Sequence, residues 1–297
     1  MPFAKHETFH IREGWLSKGM TAIKGAEEKG ELPTIFLDKD APEKLGIGRN
    51  MVRSLRFWMQ ATGLAEERLE DRKRTQRLTS FGEQVWAHDR YLEDDVTLWL
   101  IHYHLVCSQT QATTWYWFFN HFSPVTFDEN ECLDALGQWV IIMQPEQKVA
   151  ESSQKKDVDC LLKTYLPDGR RRTPENLMES PLARLGILAK LNDGPKGRYR
   201  WERLLPGHLD PLVLLYVLLD RQAHSEITQV SLGQVLREPM NAGRVLNLTT
   251  VVLTDLLAEL NRDYPDLQVQ FVRTAGLDQL SLPEVAPHDV LTHYYTR

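Results

Sequence analysis

Apolar residues recur at helical spacing over most of this chain, and the clearest instance lies between residues 40 and 63. Asp40-Ala41-Pro42-Glu43 offers an N-cap carboxylate, an early-turn proline and a Glu three residues on, which together predict a helix start. That helix is short, because Gly46 and Gly48 permit a tight turn. A second helix is predicted from Arg49 to about Thr62, closed by Gly63. At about 100° per residue, Met51, Val52, Leu55, Trp58 and Met59 share one face of it, while Arg49, Arg53, Arg56 and Gln60 form a narrow stripe nearly opposite. The stretch from Glu66 to Arg77 then turns polar, with Arg68, Arg72, Lys73, Arg74 and Arg77, before Leu78 and Thr79 resume an apolar pattern. Helix, turn, helix and basic hairpin in this order are those of a winged helix, whose wing touches the phosphate backbone beside the recognition helix.

Downstream, Leu92 to Phe122 is dense in aromatics at helical spacing and predicts a helix pair forming a core. Asp128-Glu129-Asn130-Glu131 is an acidic helix start leading through Leu133, Leu136 and Val140, and another helix is expected from about Ser152 to Tyr165. Residues 167 to 172 (Pro-Asp-Gly-Arg-Arg-Arg) predict a loop with a basic tip. From Asp210 come a Leu-rich helix, a short one at Leu232 to Leu236 and a longer one at Leu248 to Leu260. Leu267, Val269 and Phe271 then alternate toward Ala275-Gly276 and a second strand. The fold class expected is mainly α, with tandem winged-helix-like modules around an aromatic-rich helical core and short β-hairpin wings. Three modules are expected: residues 1–90 as a winged helix-turn-helix that binds DNA, 91–207 as a central helical module, and 208–297 as a second winged-helix-like module. The long helix of the last carries Asp255 and Glu259 where a DNA reader needs cations, so that module reads as structural or protein-binding.

Charge sharpens the picture. Arg49 to Arg77 holds eight basic and four acidic residues, a local +4 in a chain of formal net charge −6, and such an excess is a nucleic-acid footprint. Arginines on a helix are also what a plain solvated face carries; the order of turn, helix and hairpin favours DNA. The residues assigned to it are Arg49, Asn50, Arg53, Arg56 and Gln60 on the helix and Arg72, Lys73, Arg74 and Arg77 on the hairpin. With 297 residues, 42% of them hydrophobic and 26% charged, the chain can bury a real core. Cys107, Cys132 and Cys160 are odd in number, widely spaced and lack a CxxC pattern, which fits a reducing compartment. No apolar signal region follows Met1, and the run Pro211 to Leu219 is too short to span a bilayer, so a cytoplasmic protein is expected.

Candidate catalytic groups are few. His6-Glu7-Thr8-Phe9-His10 matches HExxH literally, but it lies within ten residues of the start, and the extended form fails at Glu13 and Leu16, so no zinc is expected. His6 and Glu7 remain as an acid/base pair, with a buried role locking the N-terminal segment as the alternative. Phosphodiester cleavage needs stabilisation of phosphate charge, usually by a divalent metal on clustered carboxylates. The best cluster is Glu93-Asp94-Asp95, of which Glu93 and Asp94 are the candidate ligands for magnesium or manganese. A helix N-terminus capped by Asp95 is the plainer alternative. Asp157 and Asp159 read as surface charges, and Cys160, among leucines, as a packed thiol rather than a sulfur carrier. No Walker A loop, GxGxxG or GxSxG elbow is present.

Several motifs carry a family resemblance. Phe3-x-x-His6-Glu7-Thr8-Phe9, Arg12, Gly14-Trp15-Leu16 and Lys18-Gly19 are followed by Leu45-Gly46-Ile47-Gly48-x-Asn50-Met51-Val52 and Arg56-x-Trp58. Further on come Tyr91-Leu92-Glu93-Asp94, Thr97-Leu98-Trp99-Leu100 with His102, and Thr114-Trp115-Tyr116 with Phe119-Asn120. In this order and over nearly the whole chain they resemble a bacterial family catalogued as a domain of unknown function, which includes the SspB proteins of DNA phosphorothioation systems. His10 is not part of that family's pattern. The resemblance implies a DNA-nicking component of a sulfur-modification, phage-defence gene cluster, acting on double-stranded DNA. It also implies a cysteine desulfurase, an ATPase and an ATP-pyrophosphatase-type sulfur-transfer enzyme as neighbours. A non-catalytic winged-helix scaffold for those enzymes and a transcription regulator are the competing functions.

Overall fold

The computed structural model describes residues 1–146, 148–167, 179–191, 197–224, 229–274 and 277–297. Most of the predicted basic loop, residues 168–172, and the turn at residues 275 and 276 lie outside these. The chain divides into two compact units, one of residues 1–118 and 122–202, the other of 119–121 and 203–297. The architecture is mainly helical, with three small antiparallel sheets.

The first unit opens with α1 (Trp15–Glu28), α2 (Ala41–Leu45) and α3 (Arg49–Ala61), then the hairpin β1 (Ala65–Glu70) and β2 (Lys73–Leu78). Here the sequence pattern and the structure agree closely. Asp40 is the exception, because its carboxylate makes no cap hydrogen bond and instead lies 3.1 Å from Lys44. Gly46 at φ 63 ends α2, and Gly63 at φ 71 turns the chain from α3 into β1, both in the left-handed region that suits glycine. The hairpin pairs Ala65 with Leu78 through Glu70 with Lys73, so its turn is only Asp71-Arg72. Both turn residues have positive φ, 48 and 62, the geometry of a type I′ turn, which glycine usually occupies. A left-handed non-glycine residue costs about 1–2 kcal/mol. Arg72→Gly is therefore expected to raise the unfolding free energy by up to about 1 kcal/mol, once the larger unfolded-state entropy of glycine is subtracted. Urea unfolding measures it, and a loss of stability would contradict the strained-turn assignment.

After α4 (Ser80–His88), capped by Thr79, come α5 (Asp95–Cys107) and α6 (Thr113–Asn120). α5 is apolar all round and accordingly buried on nearly every side, from Val96 to Val106. Its cap is Asp94, whose carboxylate accepts from the Val96 N–H at 2.8 Å; Asp95, expected as the cap, is the first helical residue. α7 (Glu129–Met143) carries a full capping box of Asp128 and Glu131, and α8 (Glu151–Tyr165) follows. The strand β3 (Thr126–Asp128) pairs with β5 (Arg198–Trp201), which also pairs with β4 (Leu188–Leu191). Phe118, Phe122, Phe127 and Trp201 close a ring cluster against this sheet.

Asp157 departs most from the sequence reading. It is not a surface charge: it is 3% exposed, on α8, and its carboxylate accepts from the Ala4 N–H at 2.7 Å and the Thr114 hydroxyl at 2.8 Å, with His6 Nε2 at 2.9 Å. The segment from Ala4 to Thr8 is a turn with Ala4, Glu7 and Thr8 at positive φ, so the HExxH letters do not lie on a helix. His6 is buried, stacked on Trp58 and edge-on to Trp115. It joins the N-terminal segment to α3, α6 and α8, which is the locking role.

The second unit contains α9 (Pro211–Ala223), capped by Asp210, then β6 (Gln229–Ser231), α10 (Leu232–Arg237), α11 (Ala242–Val245) and α12 (Thr250–Asp263). It closes with β7 (Gln270–Thr274), β8 (Leu277–Ser281) and α13 (Pro287–Thr296). Its sheet order is β6-β8-β7, a hairpin with one added strand. The helix and hairpin order expected there is present. β6, α11 and α13 have no counterpart in the sequence reading. Among the described residues no helix is long and apolar enough to cross a membrane.

Candidate nucleic-acid interface

α3 is held from within. Val52, Leu55, Trp58, Met59 and Ala61 are buried, Trp58 Nε1 donates to the Phe9 carbonyl at 3.0 Å, and Ser54 and Phe57 are buried as well. What remains outside is narrow, with Arg49, Asn50 and Arg53 exposed and Arg56 and Gln60 half-buried. The nine assigned residues then separate by how their polar groups are used. Arg56 is ion-paired with Glu67 of β1, and Gln60 donates to the same carboxylate at 3.3 Å. Arg77 is bidentate to Glu70, at 3.0 and 2.7 Å, and reaches Glu27 of α1 at 2.8 Å, where Lys24 joins the network. These two arginines bolt the hairpin to α3 and to α1. By contrast Arg49, Arg72, Lys73 and Arg74 have no ion pair among the described residues, and Arg53 has one carboxylate, Glu7, at 3.9 Å.

The bolting shows in acidity. Hydrogen bonds from Arg77 hold the Glu70 carboxyl down at about 2. At Glu27 burial pushes upward, but hydrogen bonds from Arg77 and Lys24 carry it below its ordinary value. A depressed carboxyl stabilises the fold above its unfolded value of 4.5 and loses that contribution as pH falls toward 2. Carbon-13 NMR of the Glu70 carboxyl is expected to titrate near 2 and to return toward 4.5 in Arg77→Gln; an ordinary midpoint in the wild type would contradict the pairing.

Beside the stripe is a cleft of about 260 Å³ between the short 3₁₀ turn at Ile35–Leu37 with the start of α2 on one side and α3 on the other. Phe36, Ala41 and Val52 give it an apolar lining, and Arg49, Arg53 and Arg56 line its α3 side. Sequence reasoning misses this cleft and also Leu69, 73% exposed in the basic hairpin. An apolar residue at an outer position of a charged hairpin is the signal that marks it.

The other candidates lie elsewhere. Glu7 faces Arg53 while His6 is in the core, so the structure does not join them as an acid/base pair. Glu93 is exposed on the rim of a second cleft shared with Lys18 and Lys44. The Asp94 carboxylate caps α5. Asp95 is paired with Arg184 at 2.8 Å, and the same guanidinium donates to the carbonyls of Leu92 and Glu93. A fixed cation thus already serves this acidic corner. Burial raises the Cys160 thiol well above its ordinary value and does the same at Cys132, so both are held protonated, as packed thiols are.

A mainly helical chain with a cationic helix–turn–helix and hairpin face is what the geometry defines. It belongs to the family described as "Protein of unknown function (DUF4007)", which matches residues 3–295. Two solved structures resemble it over 99% of its length and 88% of theirs. One is a magnesium ion-bound SspB (28% identity, TM-score 0.85) and the other an SspB crystal structure (29%, 0.84). Among curated proteins nothing matches. The magnesium belongs to that relative. In this chain Glu93 and Asp94 do not fit a built site for it, since one carboxylate is a helix cap and Arg184 occupies the corner; among the described residues no three His, Cys, Asp or Glu converge on a metal position.

Proposed function

We propose that this chain is the DNA-binding component of a bacterial DNA phosphorothioation system, gripping duplex DNA with α2, α3 and the β1–β2 hairpin as a winged helix. One observation carries this: Arg49, Arg72, Lys73 and Arg74, without an ion pair among the described residues, and Arg53, with only a long contact to Glu7, are exposed on the helix stripe and at the hairpin tip, while Arg56 and Arg77 brace the hairpin. Asn50 on the stripe supplies a side chain able to reach a base edge. In this reading residues 1–90 are the DNA-binding module and 91–207 the helical core. Residues 208–297, with Asp255 and Glu259 half-buried on α12, form a second winged-helix-like module suited to a protein partner. The ATPase and the ATP-pyrophosphatase-type sulfur-transfer protein of the system are the partners proposed, by resemblance to SspB.

The residues support holding DNA better than cutting it at Glu93 and Asp94. Fluorescence anisotropy with a random-sequence duplex is expected to give saturable binding that salt weakens. No binding at low salt would overturn the proposal, and a strong preference for one palindrome would move it to a regulator. Supercoiled plasmid incubated with magnesium or manganese tests cleavage in the same preparation. Open circles that disappear in the Glu93→Gln, Asp94→Asn double variant would restore a catalytic role to that pair. Nicking unchanged by it, or none at all, leaves those acids as a helix start.

A further inference from the structure

The cationic face carries two features that phosphate contact leaves unused. One is the cleft, lined by carbon from Phe36, Ala41 and Val52 and by Arg49, Arg53 and Arg56 of α3. Asp38 and Lys39 also line it, with the Asp38 carboxylate held by Thr34 at 2.9 Å and Lys44 at 3.4 Å. A phosphate alone needs cations and water; flat guanidinium groups beside buried carbon suit a planar ring that carries a phosphate. At about 260 Å³ the cleft falls just under the usual small-molecule range of about 300–1,000 Å³, room for one nucleotide rather than a length of strand. The other feature is Leu69. Strand side chains alternate, so Leu69 shares its face of β1 with Glu67, and its cross-strand partner is Arg74. Glu67 holds Arg56, and Arg56 lines the cleft, so a single ion pair joins the leucine's face of the hairpin to the cleft.

We propose that this module everts one nucleotide from a duplex, with the cleft receiving the base and Leu69 entering the gap left in the stack. This rests on the DNA-binding reading. Drawing a base out of the helix is costly, and least so at a mismatch; an apolar side chain that replaces it between the neighbouring bases offsets part of the cost. A leucine held out in water among Arg68, Arg72, Lys73 and Arg74 is placed where those cations bring it against the groove.

The test uses a duplex with 2-aminopurine at a central mismatch and a dye at one end. End-dye anisotropy establishes saturation for each protein, and 2-aminopurine fluorescence, quenched by stacking, reports eversion. The wild-type chain is expected to raise that fluorescence several-fold at saturation. Leu69→Ala and Leu37→Glu, the latter adding to the cleft a second carboxylate beside Asp38, are expected to lose most of the rise, and Leu69→Met to keep it. Binding without a rise, or a rise that persists in both Leu69→Ala and Leu37→Glu, overturns eversion and leaves DNA binding standing. Absence of any anisotropy change overturns both.

Discussion

A chain with Arg49, Arg53 and Arg74 all changed to alanine is expected to bind duplex DNA on the order of a thousandfold more weakly than the wild type at ~0.1 M salt. Each phosphate contact releases close to one counterion, which at that salt is about tenfold in affinity, and three contacts are removed. The choice of residues follows from the structure. Arg49, Arg53 and Arg74 are exposed, and their ion pairs among the described residues amount to one long contact from Arg53 to Glu7. Their loss therefore removes charge without unpacking α3, and the unfolding free energy should change little. Arg56 and Arg77 provide the contrast. Removing either strands a carboxylate, Glu67 or Glu70, and loosens the hairpin, so their variants should lose stability along with affinity. Anisotropy titrations and urea unfolding on the same samples distinguish the two classes. A triple variant that binds like the wild type would remove the stripe from the interface.

The largest effect on stability is expected at Asp157. Asp157→Ala should cost about 3 kcal/mol or more, since each buried polar group left without its partner costs about 1–3 kcal/mol. Three groups lose their acceptor at once: the Ala4 N–H, the Thr114 hydroxyl and His6 Nε2. Two of them gain no water in exchange, because His6 and Thr114 are buried; Ala4 is partly exposed. The damage should spread to the interface, since the N-terminal segment that Asp157 anchors also supplies the Phe9 carbonyl to Trp58 of α3. Urea unfolding reads the loss, and His6→Ala alone should show only part of it. A change below about 1 kcal/mol, the scale of an ordinary surface substitution, would mean that the N-terminal segment is not held through Asp157.

These two sites differ in how far the sequence reveals them, for a physical reason. The α2–α3–hairpin unit is local: glycines at the turn, an apolar face at helical spacing and a charged stripe are all written within 40 residues, and each signal acts on its neighbours. α5 is equally legible, since a helix apolar on every side has only the core to occupy. Asp157 is not, because its partners lie 153, 151 and 43 residues away and nothing beside it in the chain differs from a solvated acidic stretch. The β3–β5 pairing is hidden in the same way, with Thr126 opposite Arg200. α1 escapes notice because Gly14, at φ 73, starts it without a side-chain cap. Charge counting also overstates the interface. It treats Arg56 and Arg77 as equal to Arg53 and Arg74, whereas the fold spends the first two on Glu67, Glu70 and Glu27.

The most direct measurement is the salt dependence of duplex affinity, for the wild type and for a variant with Arg49, Arg53, Arg72, Lys73 and Arg74 all changed to alanine. With five phosphate contacts, the slope of log affinity against log salt should be about −4 to −5 for the wild type and near zero for the variant. A wild-type slope that the five substitutions leave unchanged would place DNA on another surface of the molecule.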